Sequence, residues 1–225
     1  MSDAGPLRIE TGHAGAVSAL LTRPAQARAC FVFAHGAGAG ITHAFMAAVA
    51  AGLAERHIAT LRYQFPYMEK GGKRPDPPAI AHAAVRAAVV SAARACPGLP
   101  LIAGGKSFGG RMTSQAQAKT PLAGVAGLAF FGFPLHPAGK PSSERAEHLD
   151  EVEVPMLFVQ GTNDDLAELD RLKAVVKRLG ARARLHLLEA ADHSFHVPAR
   201  SGRKDAEVMA EALDAFAAWI SALRF

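Results

Sequence analysis

Ser107 lies at the centre of the segment Gly105-Lys106-Ser107-Phe108-Gly109, which directly follows a short apolar run. This Gly-x-Ser-x-Gly pattern is typical of a nucleophile elbow, a tight strand-to-helix turn in which large side chains two residues from the serine would collide with the backbone. A serine presented in this way attacks a carbonyl carbon once a base removes its proton. The pattern predicts acyl-transfer chemistry at Ser107, with the amide of Phe108 as one donor to the oxyanion.

Such a serine needs a base and an acid, and both have candidates downstream. His193 follows the last predicted strand and is the preferred base, while His196, three residues later, is the alternative. Asp164, which follows the preceding predicted strand, is the preferred acid. Its neighbour Asp165 is interpreted as the start of the next helix, a position where carboxylates are common. The chain order of Ser107, Asp164 and His193 therefore predicts a catalytic triad.

A glycine-rich loop, His35–Gly40, supplies the second candidate donor to the oxyanion. Its glycines allow backbone amides to turn toward the serine without obstruction, and Ala37 is preferred over Gly38 as that donor. The loop is not a dinucleotide-binding loop, because Ile41 stands where the third glycine belongs. The Gly-Gly-Lys-Ser stretch is not a phosphate-binding loop, because that motif needs glycine at the position of Pro100. Neither nucleotide interpretation survives.

Short β-branched runs alternate with alanine-rich helical stretches along the chain, which predicts an α/β fold in a single domain spanning residues 1–225. The predicted strands are Leu7–Glu10, Ala16–Leu21, Ala29–Ala34, Ala59–Tyr63, Leu101–Gly104, Val125–Phe131, Met156–Gln160 and Arg184–Leu188. The predicted helices are His43–Arg56, Ala79–Ala95, Gly109–Lys119, Leu166–Leu179 and Lys204–Leu223. We expect an antiparallel edge hairpin, then a parallel sheet with helices on both faces. The stretch Gly132 to Val154, between two strands where lids are usually inserted, is only 23 residues long, so no lid domain is predicted.

Two irregular segments, Gln64–Pro78 and Gly132–Asp150, leave the carboxyl ends of strands, where doubly wound sheets bind ligands. We expect these two segments to form the walls of a substrate pocket. The candidate pocket residues are Gly36, Gly38, Phe65, Tyr67, Phe133 and His136. Basic residues of the same segments predict a cationic rim suited to a carboxylate or phosphate group, unless they only solvate the loop tips: Lys70, Lys73, Arg74, His136, Lys140 and Arg145.

The net charge of +5 raises the question of nucleic-acid binding. The densest basic stretch, Arg171–Arg184, has helical spacing with a solvated face and no interleaved aromatic residues, which argues against it. No segment is long and apolar enough to cross a membrane, and no signal peptide is recognisable. Cys30 and Cys96 are expected to be a reduced, buried pair. We expect a cytoplasmic protein that needs no metal and no cofactor.

The four motifs H-G-A-G-A-G, G-K-S-F-G, G-T-N-D and D-H-S-F together resemble those of the α/β-hydrolase superfamily. The resemblance covers nearly the whole chain and is greatest to small, lid-poor hydrolases related to dienelactone hydrolase. It implies an α/β-hydrolase fold with Ser107 as nucleophile, Asp164 as acid and His193 as base. Dienelactone hydrolase itself has a cysteine nucleophile, so the serine here departs from a lactone-specific site.

The leading hypothesis is hydrolysis of a small carboxylic ester or thioester through an acyl-serine intermediate. One alternative is a catalytically silent protein of the same fold that binds a ligand or a partner. Another is a peptidase or amidase, because the same three groups serve both reactions. The sequence predicts a small-molecule acyl substrate, and it leaves the oligomeric state open.

Overall fold

All eight predicted strands are confirmed, and they form one sheet in a computed structural model that describes residues 5–223. The strands are β1 (Gly5–Glu10), β2 (Ala16–Thr22), β3 (Ala29–Ala34), β4 (Ile58–Tyr63), β5 (Leu101–Lys106), β6 (Val125–Phe131), β7 (Met156–Gly161) and β8 (Ala183–Leu188). Their order in the sheet is β1-β2-β4-β3-β5-β6-β7-β8. β1 and β2 form the predicted antiparallel edge hairpin, β2 is antiparallel to β4, and the remaining pairs are parallel.

Helices flank the sheet as the sequence predicts, with most ends within a residue of their expected positions. They are α1 (Ala44–Glu55), α2 (Pro66–Glu69), α3 (Pro78–Ala95), α4 (Phe108–Lys119), α5 (Leu169–Leu179) and α6 (Asp205–Ala222). The short helix α2 lies inside a segment that the sequence predicts to be irregular. Within residues 5–223, no helix has the length and apolar character needed to cross a membrane.

The start of α5 differs from the sequence prediction. The helix expected from Leu166 begins at Leu169, with Glu168 at its N-cap. Asp165 is exposed and lies three residues before this cap, so its predicted role at the helix start is wrong. The physical reason is that Oδ1 of Asp164 accepts a hydrogen bond from the amide of Leu166 at 2.8 Å, which makes a turn of this stretch instead of a first helical turn.

Two apolar layers cover the two faces of the sheet. On one face, α1 and α6 pack over an aromatic cluster; its buried rings are Phe31, Phe33, Phe131, Phe195, Phe216 and Trp219. On the other face, the alanine-rich helix α3 packs with α4 and α5. The apolar stripe of α6 is therefore core, as its spacing predicts. Both layers hold the strands rigidly enough for their carboxyl ends to position side chains.

The connection between β6 and β7 contains a short 3-10 helix, Glu144–Glu151, and no second domain. Within residues 5–223, nothing of domain size stands over the carboxyl edge of the sheet. The prediction that the fold has no separate lid is confirmed, and the edge near Ser107 is open to solvent.

Candidate active site

Ser107 occupies a strained turn between β5 and α4. Its backbone has φ +51° and ψ −116°, a conformation that L-residues rarely adopt. A Cβ atom on Gly105 would lie 2.5 Å from the carbonyl oxygen of Ala34, and one on Gly109 would lie 2.6 Å from the same oxygen. Only glycine fits at these two positions. The turn therefore has the elbow geometry that the motif predicts.

The side chains of Asp164, His193 and Ser107 form one hydrogen-bonded row. His193 Nδ1 donates to Asp164 Oδ2 at 2.6 Å, and Ser107 Oγ lies 2.8 Å from His193 Nε2. The carboxylate can only accept, which places the proton of a neutral imidazole on Nδ1 and leaves Nε2 free to accept from the serine. The Asp164 side chain is completely buried, whereas His193 is about one quarter exposed. The row can remove a proton from Ser107 and hold the resulting imidazolium.

Gln160, on β7, holds Asp164 in this row. Its amide nitrogen donates to Asp164 Oδ2 at 2.5 Å, and its amide oxygen accepts from the amide of Phe133 at 2.8 Å. The first bond holds the carboxylate without neutralising it, and the second holds the Gln160 side chain in place. We did not single out Gln160 from the sequence, although a polar residue at the end of an otherwise apolar buried strand was an available signal.

His196 lies on the surface, away from Ser107. Its Nδ1 is 2.8 Å from a carboxylate oxygen of Asp205, at the start of α6, and its side chain is about two thirds exposed. This carboxylate raises the pKa of His196. The structure therefore brings His193, and not His196, to the serine.

Two backbone amides near Ser107 have no acceptor among the described residues. They belong to Phe108, the first residue of α4, and to Ala37, in the loop after β3. The amide of Gly38, the alternative to Ala37, already donates to Tyr67 Oη at 3.0 Å. This contact leaves Ala37 as the better candidate for the second oxyanion donor.

His35 supports the loop after β3 through two hydrogen bonds of its ring. Its Nε2 accepts from the amide of Phe65 at 3.0 Å, so its Nδ1 carries the proton and donates to the carbonyl of Gly36 at 2.7 Å. Burial lowers the pKa of His35 to about 4, which keeps the ring neutral at physiological pH. A protonated ring could no longer accept from Phe65.

The loop, α1 and the turn after β7 enclose a cavity of about 400 Å³ beside Ser107. It is lined by Gly36, Ala37, Ala39, His43, Phe45, Met46, Lys106, Ser107, Leu166, His193 and Ser194. Most of this surface is apolar, and the Ser107 hydroxyl and His193 meet at its floor. The cavity has room for a small acyl group.

A model of the family described as alpha/beta hydrolase domain matches residues 27–221 of the chain. The chain belongs to this family. The protein is similar to a dienelactone hydrolase from Anabaena variabilis, with a TM-score of 0.79 and 19% identity over 99% of each chain. A serine hydrolase without lid from Xanthomonas campestris gives a TM-score of 0.74 and 18% identity over 97% of this chain and 96% of that one. An alpha-beta serine hydrolase homologue from Coxiella burnetii gives a TM-score of 0.74 and 19% identity over 96% of this chain and 98% of that one. At these identities the likeness shows the fold.

Most of the predicted pocket residues of this alpha/beta hydrolase do not line the cavity. Gly36 does, whereas five others do not: Gly38, Phe65, Tyr67, Phe133 and His136. The Phe65 and Phe133 rings are buried in the core, because the two irregular segments fold down onto the sheet instead of standing around the serine. Tyr67 supports the loop through Gly38, and His136 accepts from the amide of Glu168 at 3.1 Å. The apolar walls come from Phe45, Met46 and Leu166 instead.

The predicted cationic rim is also absent from the cavity lining, which contains none of the six basic residues named for it. The lysine that does line the cavity is Lys106. From the sequence, Lys106 is only one member of the motif around Ser107, with no role of its own predicted. Its position inside the motif, next to the candidate nucleophile, was a signal that could have been used.

Two histidines with lowered pKa values, His35 and His148, are expected to make the protein sensitive to acid. Burial lowers the pKa values of His35 and His148 to about 4, below the unfolded value of 6.5. Between these two values the unfolded chain binds more protons, so each histidine lowers the free energy of unfolding by about 1.4 kcal/mol per pH unit as the pH falls. We expect thermal melting to show a steep loss of stability from about pH 6.5 to pH 4.

The matched variants for this experiment are His148→Gln and His57→Asn. His148 is partly buried against Ser114, while His57 is exposed. His148→Gln should flatten the pH dependence of the melting temperature, and His57→Asn should not. Equal slopes for both variants would contradict the assignment of the acid sensitivity to buried histidines.

Proposed function

We propose that this protein hydrolyses small carboxylic esters or thioesters through an acyl-serine intermediate. One observation carries the proposal: Asp164, His193 and Ser107 are joined by hydrogen bonds of 2.6 and 2.8 Å at the floor of an apolar cavity. The amides of Phe108, which follows Ser107 in the chain, and of Ala37, which lines the same cavity, have no acceptor among the described residues. A nucleophile, a base, an oriented acid and an oxyanion site are the complete set that acyl transfer requires.

In the acylation step, His193 Nε2 accepts the Ser107 proton while Oγ attacks the acyl carbon. The carbonyl oxygen becomes an oxyanion, which the amides of Phe108 and Ala37 stabilise. The imidazolium, held by Asp164, then gives its proton to the leaving alcohol or thiol, and the acyl-serine remains. In deacylation, His193 removes a proton from water, the hydroxide attacks the acyl-serine, and the returned proton restores the Ser107 hydroxyl. The products are a carboxylic acid and the alcohol or thiol.

The cavity favours an uncharged acyl group. Phe45, Met46 and Leu166 supply its apolar walls, and the exposed basic residues of the two irregular segments lie outside its lining. Its volume of about 400 Å³ lies near the lower end of ligand pockets, which indicates a short acyl chain. The ammonium of Lys106, which also lines the cavity, is already engaged by the His193 carbonyl. We therefore propose a neutral, short acyl group in place of the anionic group considered from the sequence.

A substrate panel tests this function. It comprises p-nitrophenyl esters from acetate to decanoate, the matching thioesters and anilides, and a chain-length-matched pair with and without a terminal carboxylate. We expect the highest kcat/KM for short neutral esters or thioesters and a clear loss for the carboxylate partner. No turnover of any member by folded protein would favour the silent binding protein, and faster cleavage of the anilides would favour an amidase.

Asp164→Asn is expected to lower kcat by about ten-thousand-fold with a small change in KM. An amide in place of the carboxylate can donate to His193 Nδ1, which selects the wrong imidazole tautomer and removes the charge that stabilises the imidazolium. Steady-state kinetics on the preferred ester measures the loss. The control is Asp165→Asn, because Asp165 is exposed and does not contact His193. Equal losses in the two variants, or no loss in Asp164→Asn, would contradict the role of Asp164 as the acid.

A further inference from the structure

Lys106 is a buried cation directly beside the candidate nucleophile. It is the last residue of β5 and is only 9% exposed. Its ammonium group donates a hydrogen bond to the backbone carbonyl of His193. Lys106 therefore links the strand that carries Ser107 to the loop that carries the base.

Two aromatic rings and a glycine surround the ammonium group of Lys106. Nζ lies 5.3 Å from the centre of the Phe45 ring and 5.0 Å from that of Phe195, both within cation–π range. Gly132 gives it space, because a Cβ there would lie 2.7 Å from Nζ and 3.3 Å from two atoms of the His193 ring. Lys106 and the imidazole are thus packed against the same glycine.

Burying an ammonium carries a cost that the fold itself does not require. Burial lowers the pKa of Lys106 to about 8, and the charges of Asp164 and Asp192 act in the opposite direction. A methionine would occupy the same volume without the cost of desolvating a charge. A charge kept in such a place indicates a functional role, because active sites are where stability is given up.

The loop that carries His193 needs such an anchor. Two of its residues, Ala190 and Phe195, have positive φ values of 61° and 66°, which are strained for side chains with a Cβ atom. At Ala190 and Ala191 the loop is bonded to Thr162 and Asn163 beside β7. Around His193 its backbone bonds are local: Asp192 Oδ1 accepts from the amides of Ser194 and His196 at 2.7 and 3.0 Å. These bonds shape the turn, but they do not fix its distance from Ser107.

We propose that Lys106 is a positioning residue that holds His193 in register with Ser107 through the carbonyl of His193. The inference rests on the proposed function and names a further residue for that same reaction. A shift of about 1 Å between a base and its nucleophile costs on the order of 100-fold in rate. Loss of the ammonium should therefore slow the chemical step and leave substrate binding nearly unchanged.

The test compares Lys106→Met with Lys177→Met, an exposed lysine of α5. We expect Lys106→Met to lower kcat by about 10- to 100-fold with KM changed less than about 3-fold, at an equal or higher melting temperature. Lys177→Met should match the wild type in all three. A Lys106→Met protein with wild-type kcat, or with a kcat loss matched by a loss of folded protein, would overturn the inference.

The pH profile supplies a readout that a purely structural role would not move. The charged and titratable groups facing Lys106 are Asp164, Asp192 and His193. Loss of the proton from Lys106 above about pH 8 removes the charge that strengthens its hydrogen bond to the His193 carbonyl. Wild-type kcat/KM should therefore fall there, and Lys106→Met should lack this alkaline limb. Should Lys106→Met fail to fold, Lys106→Leu replaces it, and a folded Lys106→Leu protein with wild-type kcat overturns the inference.

Reaction with a fluorophosphonate separates this inference from the proposed function. If Ser107 reacts in the wild type and reacts at least about 10-fold more slowly in Lys106→Met, the proposed function and the positioning role are both supported. If the two proteins react at equal rates, the positioning role is wrong and the proposed function remains. If wild-type Ser107 does not react, the proposed function is wrong and the positioning role is wrong with it.

Discussion

Ser107→Ala is expected to lower kcat/KM for the preferred ester by about a million-fold, to the level set by binding and the oxyanion amides alone. The physical reason is that Ser107 Oγ is the only hydroxyl at His193 Nε2, at 2.8 Å, among the described residues. The fold should not suffer, because alanine loses only one hydroxyl at a partly exposed position. Steady-state kinetics with a purified, folded variant measures the effect, and circular dichroism verifies the fold.

Ser114 is the matched control for this variant. It lies two turns further along α4, and its Oγ is 2.7 Å from His148 Nε2, so it also forms a serine–histidine pair. This second pair lies outside the cavity lining, and His148 has no carboxylate behind it among the described residues. Ser114→Ala should keep nearly full activity. Loss of activity in Ser114→Ala together with retention in Ser107→Ala would place the nucleophile elsewhere.

His193→Ala is expected to cost about as much as Ser107→Ala, because triad members act as a unit and the second loss adds little to the first. Without the imidazole, no other side chain among the described residues is hydrogen-bonded to Ser107 Oγ to take its proton or pass it to the leaving group. The double variant should therefore be barely less active than either single variant. Kinetics on all three proteins tests this non-additivity.

His196→Ala is the control for His193→Ala, since both residues belong to the same loop. His196 bonds to Asp205 on the surface, so its removal should cost less than about 3-fold in kcat/KM and a small amount of stability. Severe loss in His196→Ala combined with a mild effect in His193→Ala would reverse the assignment of the base.

The sequence predicts the strands and the elbow well, because their requirements are local. Continuous apolar runs indicate strands buried on both faces, and the glycines beside Ser107 are needed wherever a strand turns so tightly into a helix. The choice between His193 and His196 is not local. It depends on Asp205, at the start of α6, which holds His196 at the surface.

The residues that form the pocket walls also depend on contacts between distant parts of the chain, so the sequence does not predict them. Phe65 and Phe133 follow strands at the right edge, but an aromatic side chain on a loop is equally able to enter the core, where burial is worth more. Phe45 and Met46 belong to α1, and only the packing of that helix against the sheet brings them beside Ser107. Spacing along the chain carries no signal for such a long-range arrangement.

The most direct test of the central claim, that Ser107 is a nucleophile activated by His193, is covalent labelling with a fluorophosphonate followed by intact mass and peptide mapping. The account predicts one adduct per chain, located on Ser107, formed rapidly in the wild type and much more slowly in His193→Ala. Folded wild-type protein that stays unlabelled, or an adduct on any residue other than Ser107, would contradict it.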